Sequence, residues 1–220
     1  MSGDPSLEPD LASAALLTID TQQDFAKGPY AIPGTGAAAS VIANLACRWR
    51  AAGLPIVHIV RLYRDDGSNV DACRRSLVES GVRLVCPGSQ GSQLASGISP
   101  DGADDLDFEL LLRGGVQRLG SHEAVVYKPR WSAFFGTPLD DHLRAAGIST
   151  LVVTGCNYPN CPRATIYDAS CRDYRLMVVR DAISGLQAGD VPELEGIGAL
   201  VVASEELAPA PAGPKAESLR

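Results

Sequence analysis

Apolar and polar positions fall in blocks along this chain. Ala14–Ile19 is a short apolar run that ends on a charge, Asp20. Pro55–Val60 is rich in β-branched residues, and Thr150–Thr154 reads as a fully buried strand. Ala124–Tyr127, Arg175–Arg180 and Ala199–Ala203 are further runs of the same kind. Between them the apolar spacing becomes helical. Gly36–Ala52 carries Val41, Leu45 and Trp49 four apart and stops at Gly53. Thr137–Ala146 has Pro138 near its start, and Pro162–Arg172 begins on a proline, as helices allow. Val191–Gly198 is a weaker helix. Strands alternating with helices predict a single α/β domain, doubly wound, with a mainly parallel sheet and helices on both faces.

Two kinds of segment break this pattern. From Arg61 to about Gly115 the chain is rich in Gly, Ser, Asp and Arg and includes CPGSQGSQLASG. A long irregular region inside a compact domain is usually functional or mobile. The ends are polar and proline-bearing. Residues 1–10 predict a flexible arm and 209–220 a disordered tail, which leaves 11–208 as the domain.

A chain of 220 residues suffices for one well-packed domain. Its formal net charge of -7 disfavours nucleic acid and anionic membranes as partners. No apolar stretch approaches the ~20 residues that span a bilayer, and no basic segment leads into a secretory signal. The expectation is a cytoplasmic protein acting on a small molecule. Six cysteines are scattered without a CxxC pair, which predicts free thiols rather than disulfides or structural zinc.

Ligands of open parallel sheets bind beyond the carboxyl ends of the strands. Three chemically suggestive segments fall there. Cys161 precedes Pro162 at a helix start, where the macrodipole and free amides favour thiolate and could hold an oxyanion. The competing reading is a small buried hydrophobe, and Cys156, at a strand end, reads as structural. Asp20 is a candidate base for a thiol proton. Such an aspartate otherwise serves a turn or a helix cap, as Asp24 would. Lys128 follows a strand in VVYKPRWSAFF; it could steady a thiolate and a carboxylate, although lysines are ordinarily solvated. Their shared position, each just past a strand end, sets the three apart. Arg61, Arg64 and Asn69 also follow a strand, either as a solvated loop or at the pocket mouth. Trp131 and Phe135 suit an aromatic pocket wall, core packing or a subunit contact.

In this order the segments resemble the isochorismatase-like cysteine hydrolases, a superfamily that includes nicotinamidases, N-carbamoylsarcosine amidohydrolases, ureidoacrylate and biuret hydrolases, and isochorismatase itself. Asp20, Gln22, Asp24 and Phe25 match its D-x-Q-x-D-F stretch. Lys128 with Ser132, Ala133 and Phe134 matches its Lys before Ser-Ala-Phe, and Thr154–Gly155 ahead of Cys161 matches its T-G segment before the catalytic cysteine. The resemblance spans about residues 14 to 203. It implies a triad of Asp20, Lys128 and Cys161, a cis peptide between Cys156 and Asn157, and an oxyanion hole from the amides of Asn157 and Cys161. It implies hydrolysis of a small amide, ureido or lactam C–N bond through a thioester, in a homodimer or homotetramer. Two alternatives stay open: vinyl-ether hydrolysis of the isochorismatase type, and a non-catalytic ligand-binding protein on the same fold.

Two departures matter. Cys-Asn-Tyr-Pro-Asn-Cys stands where V-A-T-N-V-C-like sequences are usual. The Asp-x-His-x-x-x-His metal pattern of nicotinamidases is absent; the chain there reads RLYRDDGSNVDACRR, and it holds only three histidines, His58, His122 and His142. No metal and no cofactor are expected. Phe25, Arg61, Trp131, Phe135 and Tyr158 are the candidate substrate contacts.

Overall fold

The computed structural model describes residues 7–208; the expected tail and the first six residues of the expected arm lie outside them. Leu7–Asp10, the described part of that arm, is tied to the domain, with Asp10 donating its N–H to Thr150 Oγ1 at 3.0 Å.

Seven strands form one sheet: β1 (Ala14–Ile19), β2 (Ile56–Val60), β3 (Val116–Arg118), β4 (Glu123–Tyr127), β5 (Thr150–Gly155), β6 (Arg175–Ile183) and β7 (Leu200–Val202). Their order is β3-β4-β2-β1-β5-β6-β7, parallel throughout except for the β3–β4 pair. The helices are α1 (Gln23–Ala26), α2 (Thr35–Ala51), α3 (Arg75–Glu79), α4 (Phe108–Leu112), α5 (Leu139–Ala145), α6 (Cys161–Ser170) and α7 (Val191–Gly196). No described helix is long and apolar enough to cross a membrane.

Successive strand residues point to opposite faces, so the sheet feeds two cores. Ala14, Leu16, Ile56, Val125 and Val152 meet Ile42, Leu45 and Trp49 of α2 on one face. Ala15, Leu17, Ile19, Leu151 and Val153 meet Leu143 of α5, Ile166 of α6 and Leu194 of α7 on the other. Each such Leu, Ile or Val contributes roughly 1.5–3 kcal/mol by leaving water. The buried stripe of α2 runs through Ile42, Leu45, Ala46 and Trp49, while Val41 sits half-buried at its edge. The helix is therefore rotated slightly from the expected face.

From β1 the chain winds outward through β2 to β4, then crosses back to β5 on the other side. Strand order thus reverses between β1 and β5, where an open sheet leaves a crevice at its carboxyl edge. Gly155 lets the two strands close there. Its φ is +129°, and a Cβ would lie 2.1 Å from the carbonyl oxygen of Ile19.

The irregular region is built of short pieces: α3, α4, 3-10 turns at Ala72–Arg74 and Gln90–Ser92, and the unforeseen edge strand β3. Tyr63, Val70, Leu84 and Val85 from it pack with Phe25 and Cys156 into a third apolar cluster beyond the carboxyl ends. Polar clasps fix that cluster. Asp24 Oδ2 accepts the Val85 N–H at 2.7 Å. Gln22 brackets Arg61, accepting its N–H at 2.8 Å and donating to its carbonyl at 2.9 Å.

Candidate active site

The sheet's hydrogen-bond ladder continues one residue past the strand ends. Asp20 N–H donates to Ile59 O at 2.8 Å, Lys128 N–H to Val60 O at 3.0 Å, and Cys156 N–H to Ile19 O at 2.8 Å. Lys128, Arg61, Asp20 and Cys156 are therefore the first residues beyond β4, β2, β1 and β5, four strands standing side by side. Asp20 holds φ at +49°, a left-handed conformation that Asp tolerates better than bulkier residues.

From these anchors Lys128 Nζ donates to Asp20 Oδ2 at 2.7 Å, across the strand between them, with both side chains buried. The other carboxylate oxygen, Asp20 Oδ1, is buried without a hydrogen-bond partner of ordinary geometry. Cys161 opens α6, so its N–H has no acceptor within its own helix. Its Sγ lies 4.0 Å from Arg61 Nη2. Arg61 is itself braced: Nη1 is 3.2 Å from Asp71 Oδ2, and the Tyr63 hydroxyl donates to that same oxygen at 2.9 Å. The peptide joining Cys156 and Asn157 is cis.

Burial pushes the Cys161 thiol up, and the Asp20 charge adds to it. Lys128 and Arg61 pull the other way but lose, leaving the thiol at about 11. The helix start favours thiolate, whereas desolvation and the neighbouring carboxylate favour the thiol whose proton Asp20 is expected to take. Burial and the field of Asp20 thus favour the protonated form of the Cys161 thiol. Burial lifts Cys156 further, to about 12. Burial disfavours the charge on Arg61, yet the anionic groups around it, Asp20 first, outweigh that and keep it a cation.

These groups open into a cleft of about 260 Å³. Asp20, Phe25, Arg61, Trp131, Asn157 and Cys161 all line it. Lys128 touches it only through Asp20, being fully buried. Two expected substrate contacts are misplaced. Phe135 is 60% exposed and lines a separate shallow depression beside Cys73 and Arg130. Tyr158 turns into the core beneath α6, with its N–H bound to Ser184 O at 2.8 Å. Arg64 is exposed outside the cleft, and Asn69 braces its own loop by donating to Leu62 O at 2.8 Å.

Sequence reasoning missed Tyr63, Asp71 and Arg74, which also line the cleft. Tyr63 was within reach, two residues beyond Arg61 on the same alternation. Asp71 precedes and Arg74 ends a three-residue turn that carries no periodic signal. The histidines do not suit a metal in this cleft. His58 is sealed in the core, 2.7 Å from Thr18 Oγ1 and 2.6 Å from Glu123 Oε1. His122 and His142 line a different depression, beside Gly53 and Gly147. Among the described residues no three His, Cys, Asp or Glu side chains group as a metal site would require.

Comparison with known proteins agrees with this architecture. The isochorismatase domain model matches residues 14–194. The chain is 29% identical, over 84% of its length and 90% of the relative's, to a probable inactive nicotinamidase of Arabidopsis thaliana. It is 28% identical to the ureidoacrylate amidohydrolase of Methylobacterium radiotolerans, over 79% of this chain and 67% of that one. Among solved structures, an isochorismatase family protein from Desulfovibrio vulgaris superposes with a TM-score of 0.74 at 34% identity, covering 88% of this chain and 95% of that one. With its doubly wound sheet, its crevice at the β1–β5 switch and this match over most of its length, the chain belongs to the isochorismatase family.

Proposed function

We propose that this chain is an amidohydrolase that cleaves a small-molecule amide, ureido or lactam C–N bond through a thioester on Cys161. The observation that carries the reading is the buried Asp20–Lys128 pair, with one Asp20 oxygen unpartnered and a protonated thiol in its field. Asp20 takes the thiol proton, and Sγ attacks the carbonyl carbon. The oxyanion settles on the N–H groups of Asn157 and Cys161. As the C–N bond breaks, Asp20 returns the proton to the leaving nitrogen. Water, activated by Asp20, then splits the thioester and releases the acid. Lys128 offsets the negative charge on the carboxylate and then on sulfur, and holds Asp20 in position.

The amidohydrolase named among the relatives supports this reaction class. Another relative is named as inactive, so kinship alone does not decide activity. Asp20 and Cys161 facing one cleft, with Lys128 buried against Asp20, favour an active chain. A screen of small primary amides and ureido compounds by ammonia release, and of lactams by ring opening to the amino acid, tests it, with Cys161→Ala as control. Hydrolysis of at least one class by the wild type, and of none by the variant, is expected. Hydrolysis that survives the Cys161→Ala change would contradict the assignment.

A further inference from the structure

We propose that Arg61 is a further catalytic residue: its guanidinium stabilises the negative charge that Cys161 Sγ takes on as Asp20 removes the thiol proton. This rests on the amidohydrolase reading of the same cleft and adds a group to its machinery. The proton transfer moves a charge without creating one. Asp20 goes from carboxylate to carboxylic acid, and the thiol becomes a thiolate. Lys128 stays bonded to the Asp20 carboxyl, which has then lost its charge. Among the described residues, Arg61 is the cation in contact with the sulfur, its Nη2 4.0 Å away.

Arg61 is built for a partner that is anionic only during reaction. It is 3% exposed, and Gln22 fixes its backbone on both sides. Taking a guanidinium out of water is costly unless its donors are filled. Arg50 shows a filled pair: Nε and Nη2 meet separate oxygens of Glu123 at 2.7 Å each. Arg61 does not repeat it. Only Nη1 reaches Asp71, at 3.2 and 3.4 Å, and the Tyr63 hydroxyl shares the nearer oxygen. Among the described residues Nη2 is left with the sulfur alone. A fixed, desolvated cation at the atom where charge develops needs no rearrangement at the moment of reaction. Asp71 and the Tyr63 ring, 5.7 Å from the guanidinium carbon, are positioning residues. Burial and Asp20 raise the thiol pKa, and Lys128 and Arg61 work against them.

The test is iodoacetamide labelling of Cys161, read by peptide mapping across pH, which needs no substrate. The charges bearing on the sulfur are Asp20, Lys128 and Arg61; Tyr63, Asp71, Arg74 and Cys156 are the other titratable groups of the cleft wall. Arg61→Gln should slow labelling roughly 10-fold near pH 8 and move its rise to more alkaline pH. Arg61→Lys should keep part of the rate. Arg64→Gln, exposed and outside the cleft, should leave it unchanged. In an Asp71→Asn background, where no carboxylate is orphaned and the fold is spared, adding Arg61→Gln should slow labelling by a similar factor. A wild-type iodoacetamide rate in Arg61→Gln, or an unmoved pH rise, would overturn the inference. So would slowing confined to iodoacetate, the anionic reagent, since Arg61 would then bind anions without supporting the thiolate. Any of these in a chain that hydrolyses amides would overturn the inference alone. Arg61-dependent labelling in a chain that hydrolyses no amide would uphold the cation's effect on the sulfur and sink the amidohydrolase reading.

Discussion

Strand β4 has a buried charge at each end, and the two ends are built differently. At its start, Glu123 takes Arg50 Nε and Nη2 at 2.7 Å each, and His58 Nε2 at 2.6 Å, so both of its oxygens are occupied. Just past its end, Lys128 fills one oxygen of Asp20 and leaves the other open. Burial works to raise the Glu123 carboxyl, but the hydrogen bonds from Arg50 and His58 prevail and hold it below the usual range. A carboxylate with every acceptor filled is a clamp. One with an open acceptor at a cleft, beside a thiol, can exchange a proton. The same strand thus anchors the fold at one end and the chemistry at the other.

The largest effect should fall on the thiol. Cys161→Ala and Cys161→Ser are each expected to abolish amide hydrolysis while the protein stays folded. Cys156→Ser should keep most of the activity. A lethal Cys156→Ser and a tolerated Cys161→Ser would reverse the assignment of nucleophile.

Asp20→Asn should lower turnover by roughly 10²–10⁴, the usual contribution of a positioned base. The same change should raise thiol reactivity. The Asp20 charge pushes Cys161 up, so removing it lowers the thiol pKa and increases the thiolate fraction near pH 8. Iodoacetamide should then label Cys161 faster in the variant than in the wild type. A parallel loss of turnover and labelling would mean that Asp20 only maintains the site's shape.

Glu123→Gln should act on stability and leave turnover nearly unchanged. A loss of roughly 1–3 kcal/mol at neutral pH is expected in urea unfolding. The pH dependence has a definite sign. The folded Glu123 pKa lies below its unfolded value, so its contribution is full above about 4.3 and is lost as pH falls through the lower folded value. The wild type should weaken across that acid window, and Glu123→Gln should weaken less. A variant of full stability but poor turnover would move Glu123 into the active machinery.

The legible parts of this molecule were those with a strong local signal. β1, β2 and β5 are short apolar runs that end on Gly or a charge, and buried parallel strands need little more. Asp20, Lys128 and Cys161 were readable because each closes or follows such a run, which places them along one sheet edge. β3 was not readable; it is three residues long and exists through its pairing with β4. The roof of the cleft was illegible for a related reason. Tyr63, Val70 and Leu84 cluster through tertiary contact, without a period in sequence. Tyr158 and Phe135 misled because aromatic residues near catalytic ones suit core, surface and pocket equally, and only the chain path separates these roles. The thiol's protonation state also lay beyond the sequence, since it depends on how deeply α6 buries its first residue.

The central claim is that Cys161 attacks a carbonyl while Asp20 carries its proton. A covalent acyl adduct must then exist. Intact-protein mass spectrometry of enzyme quenched during turnover, with slow substrates chosen to stall deacylation, reads it directly, and peptide mapping locates it. The account predicts an adduct on Cys161 whose mass equals the acyl half of the substrate, with a burst of released amine. An enzyme that hydrolyses its substrate yet never carries an adduct, even when deacylation is slowed, would contradict the account and point to acid-driven cleavage without a nucleophilic thiol.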